Sequence, residues 1–174
     1  NKDGVNLAMG SEYGVFNRNH ISPYFKDRSP RNNDRNAVKW DLDDHNGNPY
    51  HPRLLGDING DGKTDIVGLE SSYGRFKNYF KSIYIGLGDG NKIKSPIKIN
   101  TNINQRDFYV PSKDEVTLAD IDGDSRADIV VFSSKGTYVA YSQGNSFAKF
   151  KKVTSLFSSG WDKDRHSRYA TDLN

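Results

Sequence analysis

Two stretches of the chain place oxygen-bearing side chains at alternate positions of a glycine-bearing loop. In DINGDGKTD the first, third, fifth and ninth positions are Asp57, Asn59, Asp61 and Asp65, and in DIDGDSRAD they are Asp120, Asp122, Asp124 and Asp128. Like charges crowded in this way repel one another unless a cation sits among them. The seventh positions, Lys63 and Arg126, would add backbone carbonyl oxygens, so that each loop offers an all-oxygen cage. Hard oxygen donors without His or Cys select Ca2+ over zinc or copper, and an adaptable number of ligands favours it over strictly octahedral Mg2+. Gly60 and Gly62 let the backbone wrap tightly, whereas Ser125 replaces the later glycine in the second loop, which predicts a more strained site there. A helix-flanked calcium loop would need Glu at the twelfth position, where Gly68 and Val131 stand instead. Asp, Asn and Gly are also ordinary turn residues, but two copies in register argue against a simple turn.

The repetition extends beyond the loops. Asp57 and Asp120 are 63 positions apart, and the strand-like runs DIVGL and DIVVF follow them at the same distance. A third copy is split between the two ends. RYATDLN places Asp172 and Asn174 where Asp57 and Asn59 stand, and NKDGVNLAMG, with Asn1 and Asp3, begins inside such a loop; a cation there would need both ends brought together. The repeats are therefore read as approximately 1–56, 57–119 and 120–174. Two of them share a further decoration. His51 and His166 each precede the first loop aspartate by six residues and Arg53 and Arg168 by four, with Trp40 and Trp161 upstream at less regular spacing; the middle repeat carries none of these types there.

The elements that must position these residues are short. VNLAM, GVFN, DIVGL, SIYIGLG, VTLAD, DIVVF, TYVAYS and FAKFKKV are rich in β-branched and aromatic residues and bounded by Gly, Asn, Asp or Ser, and no window keeps a helical period. Repeats of this length with about four short antiparallel strands each predict an all-β fold of β-propeller blades, about three in this chain. Propellers typically close with four to eight blades, so the ring must be partial, or completed by another copy or by further chain. GLGDGN at 86–91 looks like a phosphate-binding glycine loop but lacks the helix that must follow, and reads as a hairpin turn.

Composition bounds the rest. The chain has 174 residues, 34% hydrophobic and 27% charged, enough for one compact domain. Its apolar runs fall far short of the roughly 20 residues that cross a bilayer, and no apolar leader opens it; starting with Asn, it reads as a processed or excised piece. There is no cysteine, hence no disulfide framework, thiolate site or thiol nucleophile. The net charge of +3 comes from Lys and Arg interleaved with Asp and Asn, which argues against a nucleic-acid partner, and Lys149, Lys151 and Lys152 read as the solvated face of a strand. His20, His45, His51 and His166 stand in no nucleophile context, so no enzyme is expected.

DINGDGKTDIVG and DIDGDSRADIVV resemble the FG-GAP or VCBS repeats of integrin-α-type β-propellers. The resemblance implies Ca2+ held between strands of a blade by Asp57, Asn59, Asp61, Lys63 and Asp65, and by Asp120, Asp122, Asp124, Arg126 and Asp128. It also implies an extracellular or cell-surface setting. HPRLLGDINGDGKTDIVG, preceded by Trp40, is similar to repeats of integrin-like propeller lectins, in which sugars sit between adjacent blades. Trp40, Tyr50, His51 and Arg53 would form one sugar-binding set, and Trp161, His166 and Arg168 another. In the bland alternative each Trp packs as inter-blade core and each Arg pairs with a carboxylate. A glycan or glycoprotein ligand is thus the leading expectation, and a protein-recognition propeller using SPYF at 22–25 and RDFYVP at 106–111 is the alternative.

Overall fold

The computed structural model describes residues 5–9, 17–22, 51–72, 79–100, 114–161 and 165–170. Among these there is no helix, and so none long and apolar enough to cross a membrane. The strands are β1 (Val5–Met9), β2 (Asn17–Ser22), β3 (Arg53–Gly56), β4 (Asp65–Ser72), β5 (Tyr79–Gly86), β6 (Ile97–Asn100), β7 (Glu115–Ala119), β8 (Asp128–Ser133), β9 (Gly136–Ala140) and β10 (Lys151–Thr154). They form a two-stranded sheet, β1-β2, and two four-stranded antiparallel sheets, β3-β4-β5-β6 and β7-β8-β9-β10, each a meander of blade type. β2, β3 and β6 were not expected: GVFN meets β2 only at Asn17, its other residues lying outside the described ones, and RLLG and IKIN are only four residues long and carry no sustained alternation. β10 begins later than FAKFKKV implied, since Phe147 instead closes a turn by bridging Ser142. GLGDGN is the expected turn: Gly88 bridges Ile93, and the Asp89 carboxylate accepts the Asn91 and Lys92 N–H groups at 2.9 Å each.

Period-two alternation gives each sheet two apolar faces, and the sheets stack on them. One face of the first blade presents Val67, Leu69, Ile83 and Ile85 to Ile129, Val131 and Ala140 of the second, with Phe80 and Phe150 meeting at 5.9 Å between ring centroids. The opposite face of the second blade, Val130, Phe132 and Val139, is covered in part by Ala170 of the third copy. All six residues of β8 are consequently buried.

Equivalent positions show what stacking contributes. Ile58, second in the first loop, is wholly buried under the second blade, whereas its counterpart Ile121 is 41% exposed. The position four residues before each loop behaves likewise. Val116 packs against the first blade, Arg168 is buried against the second, and Arg53 at the start of β3 is exposed.

The first blade carries one buried ionic cluster. Glu70 accepts Lys81 Nζ at 2.8 Å and the Tyr84 hydroxyl at 3.3 Å, and lies 3.6 Å from Lys98. Burial alone would raise this carboxyl, but the two ammonium groups outweigh it and hold Glu70 below the usual carboxylate range.

Two outcomes follow from this packing. Ile58→Ala should cost about 2–4 kcal/mol by leaving a cavity between blades, and Ile121→Ala less than about 1 kcal/mol, as read from urea denaturation; similar losses at both would contradict the stacking described. Glu70→Gln should cost about 1 kcal/mol at pH 7. A depressed folded-state pKa contributes stability above the ordinary value of 4.5 and loses it as pH falls through the lower folded value. The deficit of the variant should therefore shrink below pH 4.5, and a deficit constant down to pH 3 would refute the ion-pair account.

Candidate functional site

Both acidic loops are built to one pattern. Asp57 Oδ1 accepts the N–H of Gly60 at 2.7 Å and of Asp61 at 3.2 Å, while Oδ2 accepts that of Gly62 at 2.7 Å. Asp120 does the same for Gly123, Asp124 and Ser125 at 2.8, 3.2 and 2.7 Å. The fifth residue caps the seventh, Asp61 taking the Lys63 N–H at 3.0 Å and Asp124 that of Arg126 at 2.9 Å. Each also pairs with the seventh side chain, Asp61 with Lys63 Nζ at 3.2 Å and Asp124 with the Arg126 guanidinium. Desolvation pushes Asp61 up, but the Lys63 N–H and ammonium and the Asn59 side chain outweigh it, and the carboxyl sits below its ordinary value.

Oxygens of Asp120, Asp122 and Asp124 lie within 4.8 Å of one another. An anionic, all-oxygen donor set of this spacing suits a hard divalent cation, and Asp57, Asn59 and Asp61 offer the matching set in the first loop. The ninth residues stand apart. Asp65 is fully buried, with Oδ2 accepting the Ile58 N–H at 3.0 Å and Oδ1 the Gly88 N–H at 2.7 Å. Asp128 repeats this with Ile121 at 3.0 Å and Ser142 at 2.8 Å. Burial raises both carboxyls, and these N–H groups only partly offset it.

Of the first sugar-binding set, Trp40 and Tyr50 lie outside the described residues, as do Asn1, Asp3, Asp172, Asn174, the segment 106–111 and all of SPYF but Ser22. His51 is buried, and its Nδ1 accepts the Ser71 N–H at 3.0 Å, which places the ring proton on Nε2. The middle repeat has Asp114 at this position, accepting the Ser134 N–H at 3.1 Å. Imidazole and carboxylate thus do the same structural work within their blades. Arg53 is exposed and pairs in the β-ladder with Gly68.

The second set is brought together. Trp161, 39% exposed, meets His166 edge-on at 5.4 Å and Phe157 at 5.2 Å between ring centroids. Arg168 lies beneath with its guanidinium 5.5 Å from the Phe132 ring centroid. Its Nη1 donates to the Phe157 carbonyl at 3.1 Å and its Nε lies 3.7 Å from Glu115. Phe157 and Glu115 escaped sequence reasoning. Glu115 has no repeat counterpart of its type to mark it, and Phe157 shows its importance only through a positive φ of 57°, which a bulky residue adopts at a cost.

Residues 57–131, which span both loops and the first sheet's remaining strands, match the family model described as an FG-GAP-like repeat. With two stacked four-stranded antiparallel sheets, the described residues are all-β and consistent with partial blades of a β-propeller, and the stretch 57–131 is similar to an FG-GAP-like repeat. Among solved structures it is similar to a lectin of Agrocybe aegerita described as recognising non-reducing terminal N-acetylglucosamine. The identity is 31% and the TM-score 0.50 over 65% of this chain, which spans 27% of the lectin's length. No curated protein matches the chain.

The loops differ where the sequence said they would. Gly62 has φ 77° and Ser125, its counterpart, φ 66°. A Cβ at Gly62 would meet nothing within 4 Å, so backbone conformation alone sets the cost there. Gly62→Ala should destabilise by about 1 kcal/mol and Ser125→Gly should stabilise by up to about 1 kcal/mol, measured in one buffer by urea denaturation. Equal signs for the two would rule out backbone strain as the difference.

Proposed function

We propose that this chain is a carbohydrate-binding propeller module, stabilised by Ca2+ in its acidic loops, that acts outside the cell or at its surface and performs no catalysis of its own. The similarity to a sugar-recognising lectin at 31% identity carries the reading. The cluster around Trp161 supports it. A half-exposed indole can stack on the apolar face of a pyranose, with the exposed His166 ring beside it at the edge of the same surface. Arg168, held by Glu115, Phe132 and the Phe157 carbonyl, would fix the floor on which Trp161 and His166 rest. A terminal N-acetylhexosamine is the first ligand class to test. The donor chemistry of the loops supports the cation. There Ca2+ would add positive charge to a loop whose four carboxylates are offset only by Arg126 at Asp124, and bind the loop to the ends of β7 and β8.

A glycan array probed with the purified chain in millimolar Ca2+, and again in EDTA, tests this function. Selective binding that Trp161→Ala abolishes while the melting temperature holds would support it. A blank array from folded, cation-loaded protein would replace it with protein recognition. Chelation has its own readout. One site filled at about a hundred times its Kd contributes about 2.7 kcal/mol, so EDTA should lower the melting temperature by several degrees, and an unchanged value would remove Ca2+ from the proposal.

A further inference from the structure

The two acidic loops are not separate appendages of two blades. The Asp57 carbonyl accepts the Ala127 N–H at 2.7 Å, and the Ile58 carbonyl accepts the Ser142 hydroxyl at 2.6 Å. The donors belong to the closing end of the second loop and to the turn after β9, and the acceptors to the opening end of the first loop. Ser142 also donates its N–H to Asp128 Oδ1 at 2.8 Å, so one residue ties the buried ninth aspartate of the second loop to the backbone beside the first aspartate of the first. The loops touch a third time at Gly60, where an added Cβ would stand 3.4 Å from both the Arg126 Cγ and the Ser125 carbonyl oxygen. β3 and β7, the strands that lead into the two loops, also approach one another.

We infer that the two loops take up cations as a coupled pair, binding in one raising the affinity of the other; this rests on the Ca2+ reading above. A cation that fixes Asp120, Asp122 and Asp124 also fixes the segment 125–128 that closes their loop. Ala127 and Ser142 then hold the Asp57 and Ile58 carbonyls, and the first loop has less conformational freedom left to lose when it binds its own ion. The link is a contiguous set of hydrogen bonds and packed backbone, and the coupling it transmits must be reciprocal. No ligating side chain is shared, so the effect is separable from the loss of a ligand.

Calorimetric titration of the whole chain with Ca2+ tests the coupling, using variants that silence one loop at a time. Asp122→Ala with Asp124→Asn keeps an acceptor for the Arg126 N–H while removing two anionic ligands of the second loop. Asn59→Ala with Asp61→Asn keeps an acceptor for the Lys63 N–H while removing one neutral and one anionic ligand of the first loop. Each silenced variant should bind one ion about fivefold or more weakly than the wild type binds its second ion. Ser142→Ala, which removes one of the links and leaves the Ala127–Asp57 hydrogen bond, should keep two sites yet move each toward the affinity measured in the single-loop variants. Two wild-type sites that simply sum the single-loop affinities would overturn the coupling and leave the Ca2+ reading standing. Absence of any binding heat and of any Ca2+-dependent melting shift in the wild type would overturn both.

Discussion

In each of the two four-stranded sheets a buried carboxylate, held by backbone N–H groups, ties the end of the sheet together. Asp65 lies at the start of β4, and its two oxygens reach in opposite directions, to the second residue of the acidic loop and to the turn that follows β5. Asp128 does the same between Ile121 and Ser142. Three chain segments that would otherwise splay at the end of the sheet are tied to one side chain. A buried carboxylate is costly in an apolar setting, and here only backbone N–H groups offset the cost among the described residues, so the carboxyls sit above their ordinary range. This anchor fixes the loop only at its second residue; the interior of the loop turns on the first aspartate, whose carboxylate gathers the N–H groups of the fourth, fifth and sixth residues.

The second organising feature is directional stacking. The interface between blades is formed by unlike faces, so the same residue type meets different surroundings in successive copies. Ile58 is sealed and Ile121 is open; Val116 is an apolar contact where Arg168 is a guanidinium laid on Phe132 and drawn to Glu115. The aromatic and basic cluster near Trp161 arises at such a junction. Its members are drawn from the connection after β10, from the segment 165–170 and from β7, and it exists because that segment of the third copy lies against the second blade.

The residues marked out by their type therefore divide by role. Arg168 is paired and buried, as the bland reading held, while Trp161 and His166 remain accessible and in contact with each other. His51 looked like a partner of His166 by position, yet it serves as a backbone acceptor that an aspartate replaces one repeat later. Equal spacing in a repeat guarantees equal place in the blade. It does not guarantee equal exposure, because the neighbour on each side differs.

The sequence by itself determined the all-β class, the two loops in register, the turn at 88–93 and most strands, since alternation, turn residues and carboxylate spacing are local properties that survive without any knowledge of packing. The strained Ser125 was legible for the same reason: only a residue tolerating positive φ suits that step. Strands β3 and β6 were not, because four residues carry too little pattern, and their ladders with β4 and β5 define them. Tertiary structure alone decided that Asp65 and Asp128 point into the blade and that Ile58 and Ile121 differ in burial. It also decided that Phe157 and Glu115 hold Arg168 and that Asp57 and Ala127 join the two loops. Each of these depends on contact between segments far apart in the chain, where the free energy comes from surfaces meeting rather than from neighbouring residues.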